Sequence, residues 1–132
     1  MKRNYKEVNM NTVTLYGRNC QDLELMETGK GKDANCYVRF NIAINEGRDK
    51  NGEQITQFVP CIAWGKLAET LCLYVCKGDR IVVQGRLNIQ KYTEKGEEKP
   101  RTSVQVILSK VDFVESKEAE EDEPVKSPKR KR

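Results

Sequence analysis

The stretch QFVPCIAWGKLAETL, residues 57–71, decides how this chain is read. Its first half alternates with period two, yet both faces of the alternation are apolar. Val59, Cys61 and Ala63 point one way, and Phe58, Pro60, Ile62 and Trp64 point the other. The first set is small enough to fill the inside of a tightly curved sheet. The second set is left on the face that water should wet, and an exposed apolar patch there marks an interface. After Trp64 the spacing turns helical over residues 66–76. Leu67, Leu71 and Val75 share a face, Ala68 and Cys72 lie beside them, and Lys77-Gly78 supplies a stop.

Working outward, residues 8–18 read as a first strand. Residues 35–45 are the clearest strand, with Cys36, Val38, Phe40, Ile42 and Ile44 alternating with Tyr37, Arg39, Asn41 and Ala43. Residues 46–56 read as a long hairpin loop turning at Asn51-Gly52. Residues 79–92 form a fourth strand, with Ile81, Val83, Leu87 and Ile89 on one side and Gly85 placed for a bulge or sharp bend. After the loop TEKGEEKP, residues 101–114 alternate through Val104, Val106 and Leu108 as a fifth strand. Three strands, one short helix and two more strands is the order of the OB-fold, a five-stranded, all-β Greek-key barrel. The expected organisation is a basic N-terminal extension over residues 1–9, the barrel over residues 10–115, and a charged tail over residues 116–132. That tail joins an acidic run, EAEEDE, to a basic end, SPKRKR. With almost no large apolar side chain, it is expected to be disordered.

The composition excludes several chemistries. The chain has 132 residues and no histidine, so it builds no Ser-His-Asp triad, no Cys-His pair and no His-ligated metal. Its five cysteines, at positions 20, 36, 61, 72 and 76, are odd in number and form no CxxC pair. They read as small buried hydrophobes rather than a disulfide frame or zinc ribbon. Cys72 and Cys76, four apart, are expected on one helix face. No cofactor is implied. No signal peptide and no membrane span is visible, so a cytoplasmic location is expected. A formal net charge of +4 permits a polyanion partner without requiring one.

The outward face supplies the positive argument. Every nucleobase has a flat π-face, and a base stacked on an aromatic ring contributes about 1–3 kcal/mol whatever the base. Phe58 and Trp64 offer such rings, and Tyr37 and Arg39 on the second strand point the same way. On the fourth strand Arg86, Asn88, Gln90 and Tyr92 do, and Arg18 joins from the first. Rings interleaved with cations suit bases joined by phosphates, and loop cations such as Arg48 and Lys50 extend the track. Residue pattern alone leaves packing under a loop, or in a subunit contact, open for Phe58, Ile62 and Trp64.

Three segments resemble a known family. These are MNTVTLYGR followed by CQDLEL, then FVPCIAWGKLAETLCLYVCKGD, then VVQGRLNIQKYT, with the strand ANCYVRFNIAIN between the first two. Together they are similar to the bacterial and phage single-stranded-DNA-binding proteins of the homotetrameric OB type, over residues 10–115. The resemblance implies base stacking at Phe58, Trp64 and Tyr92, phosphate contacts at Lys66 and Lys77, and a loop cation at Lys50. It implies four barrels per assembly with single-stranded DNA wrapped around them. The chain departs from the family pattern in three places. Gly47 and Arg48 stand where many members carry a loop tryptophan, Asn88 and Gln90 replace two cations, and SPKRKR replaces an acidic tip that docks partner enzymes.

The expected function is therefore non-catalytic binding and protection of single-stranded DNA, largely independent of sequence, in replication, recombination and repair. Two other OB readings compete. One is an accessory protein like the primosomal replication protein N, acting mainly through protein contacts. The other is an RNA-binding module.

Overall fold

The computed structural model describes residues 9–115. The expectations for the extreme N-terminus and the charged tail concern residues 1–8 and 116–132, which lie outside the described residues. The elements are β1 (Val13–Asn19), β2 (Met26–Thr28), β3 (Asn35–Arg48), β4 (Gln54–Trp64), α1 (Gly65–Tyr74), β5 (Arg80–Tyr92) and β6 (Arg101–Glu115), with one 3-10 turn at Gly31–Asp33. The strand count is six rather than five. The extra strand, β2, is three residues long and pairs Met26 with Tyr37 and Thr28 with Asn35. Three residues are too few to show a period.

The sheet runs β1-β5-β6-β4-β3-β2, and β1 also pairs β3, which closes the barrel. The closing contacts are short. β1 meets β3 only at Arg18 opposite Ala43 and Asn19 opposite Ile42. β4 meets β6 in parallel only at Cys61 opposite Val106 and Ile62 opposite Ile107. This is the expected OB arrangement. Its core is built from alternate residues of each long strand: Val38, Phe40 and Ile42, then Cys61 and Ala63, then Ile81 and Val83, then Val106 and Leu108. Ala68 and Leu71 of α1, with Val75 just after it, complete this core. The strand β4 turns directly into α1 at Gly65, whose φ of +64° is a left-handed conformation that glycine alone adopts freely.

Three boundaries differ from the sequence reading. The first strand begins at Val13. The helix ends at Tyr74, so Cys76 lies beyond it and shares no helical face with Cys72. The expected loop at 46–56 is mostly strand, because β3 runs to Arg48 and β4 starts at Gln54. Only residues 49–53 turn, held by the Asp49 carboxylate, which accepts from the backbone N–H of Asn51 (2.8 Å) and Glu53 (2.9 Å).

Leu87 and Ile89 were expected inside the barrel with Ile81 and Val83. They do keep that parity, but both are exposed. The β5–β6 hairpin overshoots the barrel, so its inward-directed residues, including Val104 opposite Ile89, have no interior left to face. The change comes at Gly85, where the β5–β6 register slips by one residue as expected for a bulge.

One buried polar cluster ties the ends of the barrel strands together. Asn19 is 1% exposed, and its side-chain amide donates to the carbonyls of Gln21 (2.7 Å) and Cys76 (3.2 Å). Its backbone N–H donates to the Asp79 carbonyl, and its carbonyl accepts from Gly78 N–H. The buried Asp79 carboxylate accepts from Cys76 N–H at 2.7 Å. Replacing Asn19 with alanine leaves buried carbonyls unsatisfied, so a loss of about 1–2 kcal/mol in a urea-unfolding titration is expected.

The cysteines are free thiols, Cys61 buried and the other four half-buried. Burial pushes the Cys61 thiol up to about 12 from 9.0. Because the thiolate is the reactive form, Cys61 is expected to be the last of the five labelled by iodoacetamide. The raised value also sets a sign for stability. The contribution is complete below pH 9.0, the unfolded value, and declines above it as the unfolded chain ionises first.

Candidate nucleic-acid interface

The pairing of β3 with β4 places four residues of each strand on one outward face. Trp64 lies opposite Tyr37, Ile62 opposite Arg39, Pro60 opposite Asn41, and Phe58 opposite Ala43. The intervening pairs, Ala63 with Val38, Cys61 with Phe40 and Val59 with Ile42, face the core. The double apolar alternation of β4 is thereby resolved: one row fills the barrel and the other stands outside it.

The outward row is not uniform. Phe58 is 63% exposed and Trp64 is 41% exposed, whereas Ile62 is 1% exposed. Ile62 was expected among the exposed residues. It sits in the short stretch where β4 has neighbours on both sides, Arg39 of β3 and Ile107 of β6. Phe58 and Pro60 lie beyond that short contact with β6 and stay open.

The rings and cations are in contact. The Tyr37 and Trp64 ring centroids are 5.0 Å apart with planes at 40°. The Arg39 guanidinium lies over the Tyr37 ring at 5.5 Å, a cation–π geometry. Trp64, Tyr37 and Arg39 thus form one continuous patch. From Arg39 a lateral row crosses the barrel through Ile62 and Ile107 to Arg86, which is exposed on β5. Asn88, Gln90 and Tyr92 continue the same face along the hairpin, where the Gln105 amide donates to the Asn88 side chain at 3.4 Å. Tyr92, 43% exposed, ends that row opposite Arg101.

The remaining expected site residues are dispersed. Lys66 is exposed in the first turn of α1, two residues beyond Trp64. Arg48 and Lys50 are exposed at the far tip of the β3–β4 hairpin, and Arg48 donates to the Gly52 carbonyl at 2.7 Å. Lys77 is exposed in the turn before β5, next to Gly78, whose carbonyl accepts from the Arg18 guanidinium at 2.7 Å. It stands near the end of β1, away from the Trp64 patch. Among the described residues no helix is long and apolar enough to cross a membrane, and no three His, Cys, Asp or Glu side chains gather as a metal site.

Sequence reasoning missed one feature of this surface. Where β1 and β3 part, a cleft opens, lined by Tyr16, Arg18, Ala43, Asn45, Thr56 and Arg80 among others. Arg18 had been placed on the outward face, but Tyr16 and Arg80 had not been singled out. The register that puts Arg80 opposite Arg18 is not written in either strand alone.

Comparisons with known proteins agree with this architecture. A family model described as "Single-strand binding protein family" matches residues 10–114. A single-stranded DNA-binding protein of Fusobacterium nucleatum is 39% identical over 112 residues, covering 82% of this chain and 69% of that protein. One from Onion yellows phytoplasma is 34% identical over 110 residues, covering 82% of this chain and 97% of its own length. Among solved structures, a Plasmodium falciparum SSB in complex with ssDNA superposes with a TM-score of 0.68 at 23% identity, covering 84% of this chain and 100% of that one. This last likeness is one of fold. With the family model spanning the whole barrel and relatives above 30% identity, the chain belongs to the single-strand binding protein family.

Proposed function

We propose that this protein binds single-stranded DNA with little sequence preference, covering and protecting it during replication, recombination and repair, and catalyses no reaction. The observation that carries the reading is the outward row Phe58, Pro60 and Trp64, with Tyr37 and Arg39 directly across from it. Bases stack on Phe58, Trp64, Tyr37 and Tyr92. Phosphates are held by Arg39 and Arg86 beside that row, by Lys66 next to Trp64, and by Arg48, Lys50 and Lys77 at its margins. A ring offers the same face to every base, which is why sequence matters little.

The working form proposed is a homotetramer acting in the cytoplasm. Family membership supports the assembly, as does the exposed strip of Leu87, Ile89 and Val104 on the hairpin, which a second copy would cover.

Titration of the full chain with long oligo-dT at two salt concentrations, followed by Trp64 fluorescence, tests the binding. Trp64 is the only tryptophan, so the signal has one source. Saturable quenching that weakens with salt is expected; an unchanged signal from a folded protein would remove Trp64 from the binding face. Repeating it with oligo-U separates DNA from RNA preference.

A further inference from the structure

We infer that Arg101 is a positioning residue for the base-stacking ring of Tyr92, itself held by Glu97 in the loop between β5 and β6. The inference rests on the proposed stacking at Tyr92 and adds to it the groups that fix that ring. The fold creates the need for them. β1 leaves β5 at Gly85, the Asn11 side chain bonds the backbone of Leu87, and β6 meets β4 only at Val106 and Ile107. Among the described residues, the hairpin end that carries Tyr92 is therefore a ribbon of two strands, 88–92 against 101–105. Such a ribbon is marginally stable by itself. A base that stacks on a mobile ring must first order it, and that ordering is subtracted from the affinity.

The loop supplies a clamp. The backbone N–H of Glu97 donates to the Glu94 carbonyl at 2.9 Å. Gly96, at the third position of this turn, takes a φ of +90°, which that position accepts when it is glycine. The turn brings Glu97 back to β6. Its carboxylate accepts two hydrogen bonds from the Arg101 guanidinium, from Nε to Oε1 at 2.8 Å and from Nη2 to Oε2. This bidentate fork fixes the guanidinium plane as well as its position. Arg101 is also the register partner of Tyr92, and a further hydrogen bond joins its guanidinium to the Tyr92 side chain. A guanidinium has donors only, so the phenol oxygen accepts. Glu97 thus holds Arg101, and Arg101 holds the tip of the ring. Tyr92 stays 43% exposed while so held, which leaves it open to a base. By charge alone, a carboxylate beside a phosphate-binding surface weakens binding, so the position of Glu97 gives the test a sign.

Full-length wild type, Glu97→Ala, Glu98→Ala, Arg101→Lys, Tyr92→Leu and the double variant Glu97→Ala with Tyr92→Leu would be titrated with long oligo-dT over a salt series. Thermal melts would check that each is folded. Glu98→Ala removes an exposed neighbouring carboxylate and is expected to leave binding unchanged or slightly tighter. Glu97→Ala removes the same charge and is expected instead to weaken binding about threefold, because the ring loses its order. Arg101→Lys keeps the positive charge but has no fork to hold two partners, so a similar loss with an unchanged salt slope is expected. In the Tyr92→Leu background, Glu97→Ala should cost nothing more, since both act through one ring. Tighter or unchanged binding by Glu97→Ala, full binding by Arg101→Lys, or losses that add in the double variant would each overturn the positioning role. Tyr92→Leu binding as tightly as the wild type would strike the ring from the track, and the clamp with it. Failure of the wild type to bind oligo-dT would instead remove the DNA-binding reading itself.

Discussion

Truncating Phe58 and Trp64 together to alanine is expected to weaken binding to long oligo-dT by about 2–6 kcal/mol, the sum of two stacking losses of about 1–3 kcal/mol each. That is roughly a 30-fold loss at the low end and near-abolition at the high end. The two rings are unequal in their other duties. Phe58 is 63% exposed, so its removal should leave the melting temperature unchanged. Trp64 packs against Tyr37, so its removal should also cost about 0.5–1.5 kcal/mol of stability. Fluorescence anisotropy of a labelled oligonucleotide gives the affinities, and thermal melts separate them from folding. Phe58→Ala alone keeps Trp64 as a reporter and isolates one stacking contribution. A double variant that binds as tightly as the parent would show that the strand lies elsewhere on the barrel.

The second large effect concerns the fold. Gly85→Ala is expected to destabilise the protein by about 3 kcal/mol, the top of the usual overpacking range. A methyl group at this position would be driven into the Ile107 carbonyl oxygen, and it would also come within 2.8 Å of the Ile107 carbonyl carbon and 2.9 Å of the Leu108 Cα. All three are backbone atoms and have no rotamer to yield. Glycine is required here for space, because the bulge brings β6 against β5 at this residue. Arg86→Ala, one residue on and exposed, should change stability by no more than about 0.5 kcal/mol while weakening DNA binding. Urea unfolding of the pair reads the contrast directly.

The sequence made some of this legible because a strand of period two shows both of its faces. Spacing sorted Phe58, Pro60 and Trp64 onto one face and Cys61 and Ala63 onto the other, and side-chain size chose the second set for the inside. The same logic failed at Ile62, Leu87 and Ile89 for one shared reason. Parity tells which face a residue is on but not how far the barrel extends or where a strand has two neighbours. Ile62 lies in the short stretch where β4 is flanked twice, and Leu87 and Ile89 lie where β5 has left the barrel behind. The strand β2 was invisible because all three of its residues, Met26–Thr28, are exposed and three are too few to alternate. The cleft was half visible. Arg18 could be assigned to the outer face, but its meeting with Arg80 across the ladder, 62 positions later in the chain, depends on a register that only the closed barrel sets.

The brevity of the β4–β6 contact also bears on how the molecule comes to exist. That parallel contact joins residues 61 and 62 to residues 106 and 107, so a long segment must fold back before it can form. Loop closure of this kind precedes any gain from the contact, which places such β-barrels among the slower-folding small domains, in the millisecond-to-second range. During synthesis, β4 emerges with its rings and has only β3 to lie against. The ring-bearing strand gains its second neighbour only after β6 has left the ribosome. A nascent chain stopped before residue 106 would therefore present Phe58 and Trp64 on an unclosed sheet with a free edge, the state most exposed to mispairing with another chain.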